Sequence, residues 1–176
     1  MSKADTPAFT RQKQNGSFSP MSTATLEGPL SYEEERGKPV PSLNHGAIQT
    51  NLAMEFCKNR TYRVVSELTL DISGVRHTPD LSVHPRQALD LRHDVIRATT
   101  PPLLTVEIFS PQQGTQEVMD KVDAYFRFGV KSCWIVAPPL RTVRILTADG
   151  YEETFHTGTV KDPVTGLTAN LEEVFS

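Results

Sequence analysis

The sequence predicts a mixed β-sheet with helices on its faces, in the α/β or α+β class, and three observations support this. Residues 62–72 and 78–84 alternate apolar and polar side chains with a period of two, which is typical of half-buried strands. Residues 103–109 (LLTVEIF) and 132–137 (SCWIVA) are largely apolar on both faces, as in the central strands of a sheet. A helical pattern lies between these last two segments, and a helix that joins two buried strands predicts a right-handed parallel crossover.

The chain divides into a tail and one folded domain. Residues 1–30 are rich in Ser, Thr, Gln, Pro and Gly and have no apolar period, so they bury too little surface to offset their ordering entropy. We therefore predict a flexible tail over residues 1–30 and a domain over residues 31–176. The domain should begin with a short strand or hairpin arm at residues 32–41, followed by a helix with Asn44 as its N-cap.

The second half of the domain continues with helix and strand signals. Thr115 is expected to cap a helix that ends near Phe128, because Gly129 is typical of a helix stop. Beyond the strand at residues 132–137, two further strands and a short terminal helix are predicted at residues 142–146, 152–156 and 170–175.

Composition limits the functional classes. The 176 residues carry a net charge of −3, which argues against bulk polyanion binding but leaves room for a local phosphate site. No segment reaches the ~18 apolar residues that a membrane-spanning helix needs, and the start does not resemble a secretory signal. Two cysteines, Cys57 and Cys133, are too few for a disulfide scaffold, and both are predicted to be reduced and buried. These observations favour a cytoplasmic protein without membrane contact.

Glu107 lies inside a buried strand, between Val106 and Ile108. An isolated carboxylate removed from water costs several kcal/mol, so it must pair with a cation, bind a metal or lie at the open end of the strand. A structural salt bridge to Arg or Lys is the simplest alternative to a functional role.

Asp80 is the second candidate acid. It follows Pro79 inside an alternating strand, which weakens the interpretation of the dipeptide as a turn. Neighbouring strands lie ~5 Å apart, so Asp80 and Glu107 on the same face of successive strands could share one hard divalent ion. Mg²⁺ prefers oxygen ligands, and the Ile108 carbonyl could provide a third.

The combined motifs resemble a known family. GKPVPSLNH, TPDLSV, VEIFSPQQ and KVDAYFRFGVKSCWIVAP, at residues 37–45, 78–83, 106–113 and 121–138, look like the Uma-type restriction endonucleases, a domain of unknown function in the PD-(D/E)XK nuclease superfamily. The resemblance extends from about Ser31 to the last residue. It implies a restriction-endonuclease-like fold with a metal held by Asp80 and Glu107. The superfamily places a lysine two residues after the second acid, where this chain has Phe109.

The resemblance implies further site residues. Lys121, on the helix after the acidic strand, would replace the missing lysine, although it could simply pair with Glu117 one turn earlier. Glu35, from the N-terminal element, and Glu67, on the polar face of the strand before Asp80, are candidate catalytic acids. A solvated acidic run is the alternative for Glu35.

Two polar residues are candidate substrate contacts. His45, at a helix start, could contact phosphate, and Ser110, just after the acidic strand, could bind a metal-bound water. Helix capping and turn formation are their respective alternatives. The aromatic residues Tyr125, Phe128 and Trp134 are predicted to belong to the core.

These residues favour a Mg²⁺-dependent endonuclease, with Mn²⁺ as an alternative cation, that hydrolyses phosphodiester bonds in nucleic acid, with DNA favoured over RNA. A homodimer is expected, since nucleases that cut both strands are often dimers. Phe109 and the acidic pI of about 5.9 support a rival function, a non-catalytic nucleic-acid- or protein-binding module on a degenerate nuclease fold. A metal-free network of salt bridges is a second rival.

Overall fold

The computed structural model describes residues 41–110 and 113–176. In chain order its elements are α1 (Leu43–Cys57), β1 (Tyr62–Ser66), β2 (Thr69–Ile72), β3 (Val75–His77), β4 (Leu81–Pro85), β5 (Arg97–Ala98), β6 (Leu104–Ile108), α2 (Thr115–Phe128), β7 (Ser132–Ala137), a 3₁₀ turn (Pro138–Leu140), β8 (Thr142–Thr147), β9 (Glu152–Phe155), β10 (Thr159–Lys161), β11 (Thr168–Asn170) and α3 (Leu171–Val174). The predicted tail over residues 1–30 and the strand expected at residues 32–41 fall outside the described residues, apart from Pro41, which lies in no regular element.

The central layer is a six-stranded sheet in the order β1-β4-β6-β7-β8-β9. Only β6 and β7 are parallel within it, and α2 connects them, so the predicted parallel crossover is confirmed. The other neighbours in this sheet are antiparallel, including β4 and β6, which pair Leu81 with Val106. The fold is therefore the mixed sheet with flanking helices that the sequence predicted.

Helix α1 covers one face of the sheet. Its N-cap is Ser42, whose hydroxyl accepts a hydrogen bond from the His45 backbone N–H at 3.3 Å, so the prediction of Asn44 as N-cap was wrong by two residues. The buried stripe of α1 includes Phe56, whose ring packs edge-on against Trp134 at a centroid distance of 5.0 Å. This packing attaches the C-terminal end of α1 to the sheet.

The strand predicted over residues 62–72 is two strands in two sheets. Glu67 adopts a left-handed conformation with φ +54°, and this turn directs β1 into the central sheet and β2 into a small sheet with β3 and β5. The chain then reverses at Ser73 and Gly74, both at positive φ, and β4 begins only at Leu81. Alternation alone cannot reveal such a turn, because the apolar spacing continues through it.

Alternate residues of β6 face two separate cores. Leu104, Val106 and Ile108 pack with α1 and Trp134, whereas Glu107 faces α2 and contacts Tyr125. The core on the α2 side contains Val122, Tyr125 and residues of β2. Glu107 is thus an acidic residue on the face of the sheet that α2 covers.

A C-terminal hairpin, β10–β11, completes the fold, and the sequence patterns did not reveal it. It is fixed to β7 by the buried carboxylate of Asp162, which accepts hydrogen bonds from the Ser132 hydroxyl, from Trp134 Nε1 at 2.9 Å and from Thr165 N at 2.7 Å. These bonds satisfy a charge that would otherwise be costly to bury.

Two smaller predictions were also wrong. Thr115 is the first residue of α2, and Gly114 occupies the N-cap position without a side-chain cap. Cys133 is buried as expected, but Cys57 is exposed at the end of α1. Over residues 41–110 and 113–176, none of the helices has both the length and the apolarity needed to cross a bilayer.

Candidate functional site

Asp80 is held at the junction of β4 and β6, one residue before β4 begins. Its Oδ2 accepts a hydrogen bond from the Ile108 backbone N–H at 2.6 Å, and its own backbone N–H donates to the Val106 carbonyl at 3.0 Å. The side chain is 1% exposed. The aspartate thus joins the ends of the two strands through its side chain as well as its backbone.

Helix α1 contacts the same aspartate from the other side. His45 Nε2 lies 3.0 Å from Asp80 Oδ1, and Gln49 Nε2 donates to the Asp80 carbonyl at 2.9 Å. The two residues lie one turn apart on α1. His45 therefore contacts the candidate acid directly, whereas the contact of His45 with phosphate stays a prediction.

Glu107 is bound by two residues of α2. Its Oε1 accepts a hydrogen bond from the Tyr125 hydroxyl at 2.5 Å, and its Oε2 lies 3.7 Å from Lys121 Nζ. The Glu107 side chain is 2% exposed. Burial, followed by the negative charge of Glu107, raises the pKa of Tyr125 well above its usual value near 10, so the phenol remains a hydrogen-bond donor.

Lys121 lies between the buried acid and the surface. Lys121 Nζ also lies 3.4 Å from Glu117 Oε1. The structure therefore contains both the approach of Lys121 to the buried acid and the alternative pairing with Glu117. The Lys121 side chain is only 13% exposed, and it lines a cleft of about 770 Å³ together with Arg76, His77 and Arg127. An ammonium group here is close to the buried acid and can still face a solvent-filled cleft.

The remaining predicted residues lie elsewhere or keep their ordinary roles. Glu67 is at the left-handed turn rather than on a strand face; its backbone N–H donates to the Asp80 carbonyl at 3.1 Å, and its side chain lines a different cavity with Gln49. Ser110 directly follows β6, and its carbonyl accepts a hydrogen bond from Gln113 N at 3.0 Å; its contact with a metal-bound water stays a prediction. Glu35 lies outside the described residues.

The donor groups of this site have the chemistry of a hard cation site. Within the part of the chain that the structure describes, no cluster of three or more His, Cys, Asp and Glu side chains is arranged to hold a metal. Mg²⁺, however, commonly uses one or two carboxylates and keeps several waters. Asp80 and Glu107, with the Ile108 carbonyl as a third oxygen, therefore fit such an ion by donor type.

Tyr125 is the site residue that sequence reasoning missed. Its ring is fully buried, as predicted for a core residue, but its hydroxyl contacts the acid. A signal was present in the sequence, because Tyr125 is four residues after Lys121 and so shares its face of α2. A buried tyrosine hydroxyl also needs a polar partner, and Glu107 is the acidic residue on the opposing strand.

Comparison with known proteins agrees with this architecture. Residues 31–172 match the Uma2 family, described as "Putative restriction endonuclease". A similar solved structure is that of "a putative nuclease belonging to DUF820" from Anabaena variabilis ATCC 29413, with 23% identity, 78% of this chain and 83% of that chain covered, and a TM-score of 0.65. At this identity the likeness establishes a shared fold. No curated protein matches the chain.

Proposed function

This chain belongs to the Uma2 family, and we propose that it is a metal-dependent endonuclease that hydrolyses phosphodiester bonds in nucleic acid, with DNA as the favoured substrate. The observations that support the proposal are a lysine beside the buried Glu107 and a bond from Asp80 to the residue that follows Glu107, at one end of the sheet. Lys121 Nζ lies 3.7 Å from Glu107, and Asp80 is bonded to Ile108, the residue after Glu107.

Asp80 and Glu107 would hold the ion, with the Ile108 carbonyl as a further ligand and Mg²⁺ or Mn²⁺ as the cation. When bound, a divalent ion at such a site supplies a Lewis acid for the phosphoryl oxygen and lowers the pKa of a water molecule. The residue types fit this role, since hard cations select oxygen donors.

The protein's own groups would position these ligands and stabilise charge. Lys121 provides a positive charge where the phosphate becomes more negative during hydrolysis, and a donor fixed in advance is worth most in a poorly solvated site. Tyr125 and His45 act as positioning residues, because each contacts one of the two acids. Glu35, Glu67 and Ser110 are further proposed contributors, Glu67 through its backbone bond to Asp80.

A plasmid-nicking assay in Mg²⁺ or Mn²⁺, with and without chelator, tests the proposal. Asp80→Asn, Glu107→Gln and Lys121→Met should each reduce nicking by about 10²-fold or more, as expected for loss of a charged catalytic group. Lys58→Met is the matched control, since Lys58 is an exposed lysine at the C-cap of α1 that also pairs with a glutamate, Glu55. Nicking that is unchanged by chelator, or that persists at full rate in Asp80→Ala, would contradict the proposal.

A non-catalytic binding module on the same fold is the second candidate function. It is favoured by the occupied carboxylates, since Asp80 already contacts Ile108 and His45, and Glu107 contacts Tyr125 and Lys121. The plasmid-nicking assay separates the two functions, and titration calorimetry with Mg²⁺ and Mn²⁺ tests for a metal-free salt-bridge network. Absence of ion binding, with Glu107→Gln lowering stability alone, would favour a structural salt-bridge network.

The proposal also includes a cytoplasmic homodimer. Two copies would provide one active site for each strand of a duplex. The cysteines Cys57 and Cys133 are not bridged to each other, which supports the cytoplasmic location in the proposal. Analytical ultracentrifugation with and without duplex DNA measures the assembly. A monomer under both conditions would remove the dimer from the proposal without affecting the chemistry.

A further inference from the structure

A further cavity opens beside the candidate site, on the α1 side of the sheet. It encloses about 460 Å³, within the usual range for a small-molecule site, and His45 forms part of its wall. Phe109 and Pro138, which follow the parallel strands β6 and β7, line it as well. The carboxyl ends of parallel strands are where open α/β sheets commonly bind ligands.

Aromatic and cationic groups meet in this cavity. Phe109 and Phe175 line it, and the exposed Arg141 places its guanidinium 5.6 Å from the centroid of the Phe175 ring. Arg141 has a left-handed backbone with φ +48°, a conformation that glycine or asparagine adopts at lower cost. An arginine at this position gives the cavity a positive charge next to an aromatic surface.

One wall of the cavity contacts Asp80. His45 contacts Asp80 at 3.0 Å, and Phe109 follows Ile108, whose N–H binds the same carboxylate. A strand that passes the acids would therefore carry one of its neighbouring nucleotides past this opening.

We propose that this cavity binds one unpaired nucleobase of the nucleic acid strand, next to the bond to be cut, an inference that rests on the proposed nuclease function. Phe109 and Phe175 provide the stacking surface, and Arg141 contacts the adjoining phosphate. Base–aromatic stacking contributes about 1–3 kcal/mol per base and accepts any base, while arginine suits phosphate geometry. A base inside a duplex cannot enter without leaving the stack, so single-stranded or locally unpaired segments are the preferred substrates.

This role also accounts for the departure at Phe109. Phe109 lines the cavity together with His45. The cation next to Glu107 instead comes from Lys121.

Photocrosslinking tests the inference without any need for cleavage. The full chain, in excess chelator, is irradiated with a single-stranded 5-iodouracil oligonucleotide of about 12 residues, and the adducts are mapped by peptide mass spectrometry. We expect adducts at Phe109 or Phe175, and at least about 5-fold less adduct with the same oligonucleotide in duplex form.

Two variants are expected to keep the fold. Phe109→Leu retains an apolar side chain, and Arg141→Asn suits the left-handed backbone. Each should weaken single-strand binding about 5-fold or more by fluorescence anisotropy. Arg144→Gln, which removes the same charge from the nearby β8 where Arg144 pairs with Glu152, should bind like the parent.

The outcomes separate this inference from the nuclease proposal. Adducts only at other peptides, equal labelling by duplex and single strand, or equal effects of Arg141→Asn and Arg144→Gln would overturn the nucleobase site, even if the protein nicks plasmid. Adducts at the cavity without nicking in Mg²⁺ or Mn²⁺ would retain the site and refute the nuclease.

Discussion

Replacing Tyr125 by Phe removes one hydroxyl group from a buried hydrogen bond to the candidate acid. The ring is fully buried, the Glu107 side chain is 2% exposed, and the two groups lie 2.5 Å apart. A hydrogen bond to a charged group contributes about 1.5–3 kcal/mol. In a chain of this size each kcal/mol corresponds to about 2–4 °C, so Tyr125→Phe should lower Tm by about 3–12 °C.

Tyr151→Phe is the matched control for this variant. Its hydroxyl also donates to a carboxylate, that of Glu153, but both groups are exposed. Exposed polar pairs contribute little, so the control should lose less than about 0.5 kcal/mol. Urea unfolding of both variants measures the free energies of unfolding.

The nicking assay then distinguishes positioning from stability alone. Tyr125→Phe should lower kcat while the affinity for DNA in chelator is unchanged, because Tyr125 contacts Glu107 rather than substrate. A Glu107→Gln background should remove most of the effect of the second substitution. Equal losses in Tyr125→Phe and Tyr151→Phe, or additive effects in the double variant, would refute this reasoning.

Three further predictions concern stability and reactivity. Burial lowers the pKa of His84 below 6.5, so as the pH falls the unfolded chain takes up a proton before the folded chain does, and the free energy of unfolding decreases below about pH 6.5. His84→Gln should reduce the slope of the unfolding free energy against pH by up to about 1.4 kcal/mol per pH unit, measured by urea unfolding across this range. Burial raises the pKa of Cys133 to about 12, so iodoacetamide should add only to Cys57 in the native protein, and mass spectrometry should detect a second adduct after denaturation. Asp162→Ala should lower the free energy of unfolding by roughly 3 kcal/mol or more, because Trp134 Nε1 and other buried donors lose their acceptor. A loss below about 1 kcal/mol in chemical denaturation would contradict this.

The sequence predicted the structure best where the hydrophobicity of a segment determines whether it is buried. The apolar runs that became β6 and β7 were located within one residue of their observed ends, and so was the helix between them. A carboxylate inside such a run had to find a partner, and Lys121 and Tyr125 provide it. Desolvation is severe enough that this requirement follows from the sequence alone.

The sequence was least informative where the backbone changes direction without a marker. Glu67 adopts positive φ although glutamate has no preference for it, so the separation of β1 from β2 had no local signal. The hairpin β10–β11 consists of three-residue strands, too short for alternation to register. In both places tertiary contacts, such as the bond from Glu67 N to the Asp80 carbonyl, determine the local conformation.

The alternation of β6 has a consequence for folding fidelity. If β6 slipped by one residue against β4 and β7, Glu107 would turn toward the apolar core around Trp134, and Val106 would take its place opposite Tyr125. Such a misaligned sheet would bury a charge without a cation and separate the acid pair. Correct strand alignment and assembly of the acid site are therefore one event, and any measure of the intact site also reports the proportion of correctly folded molecules.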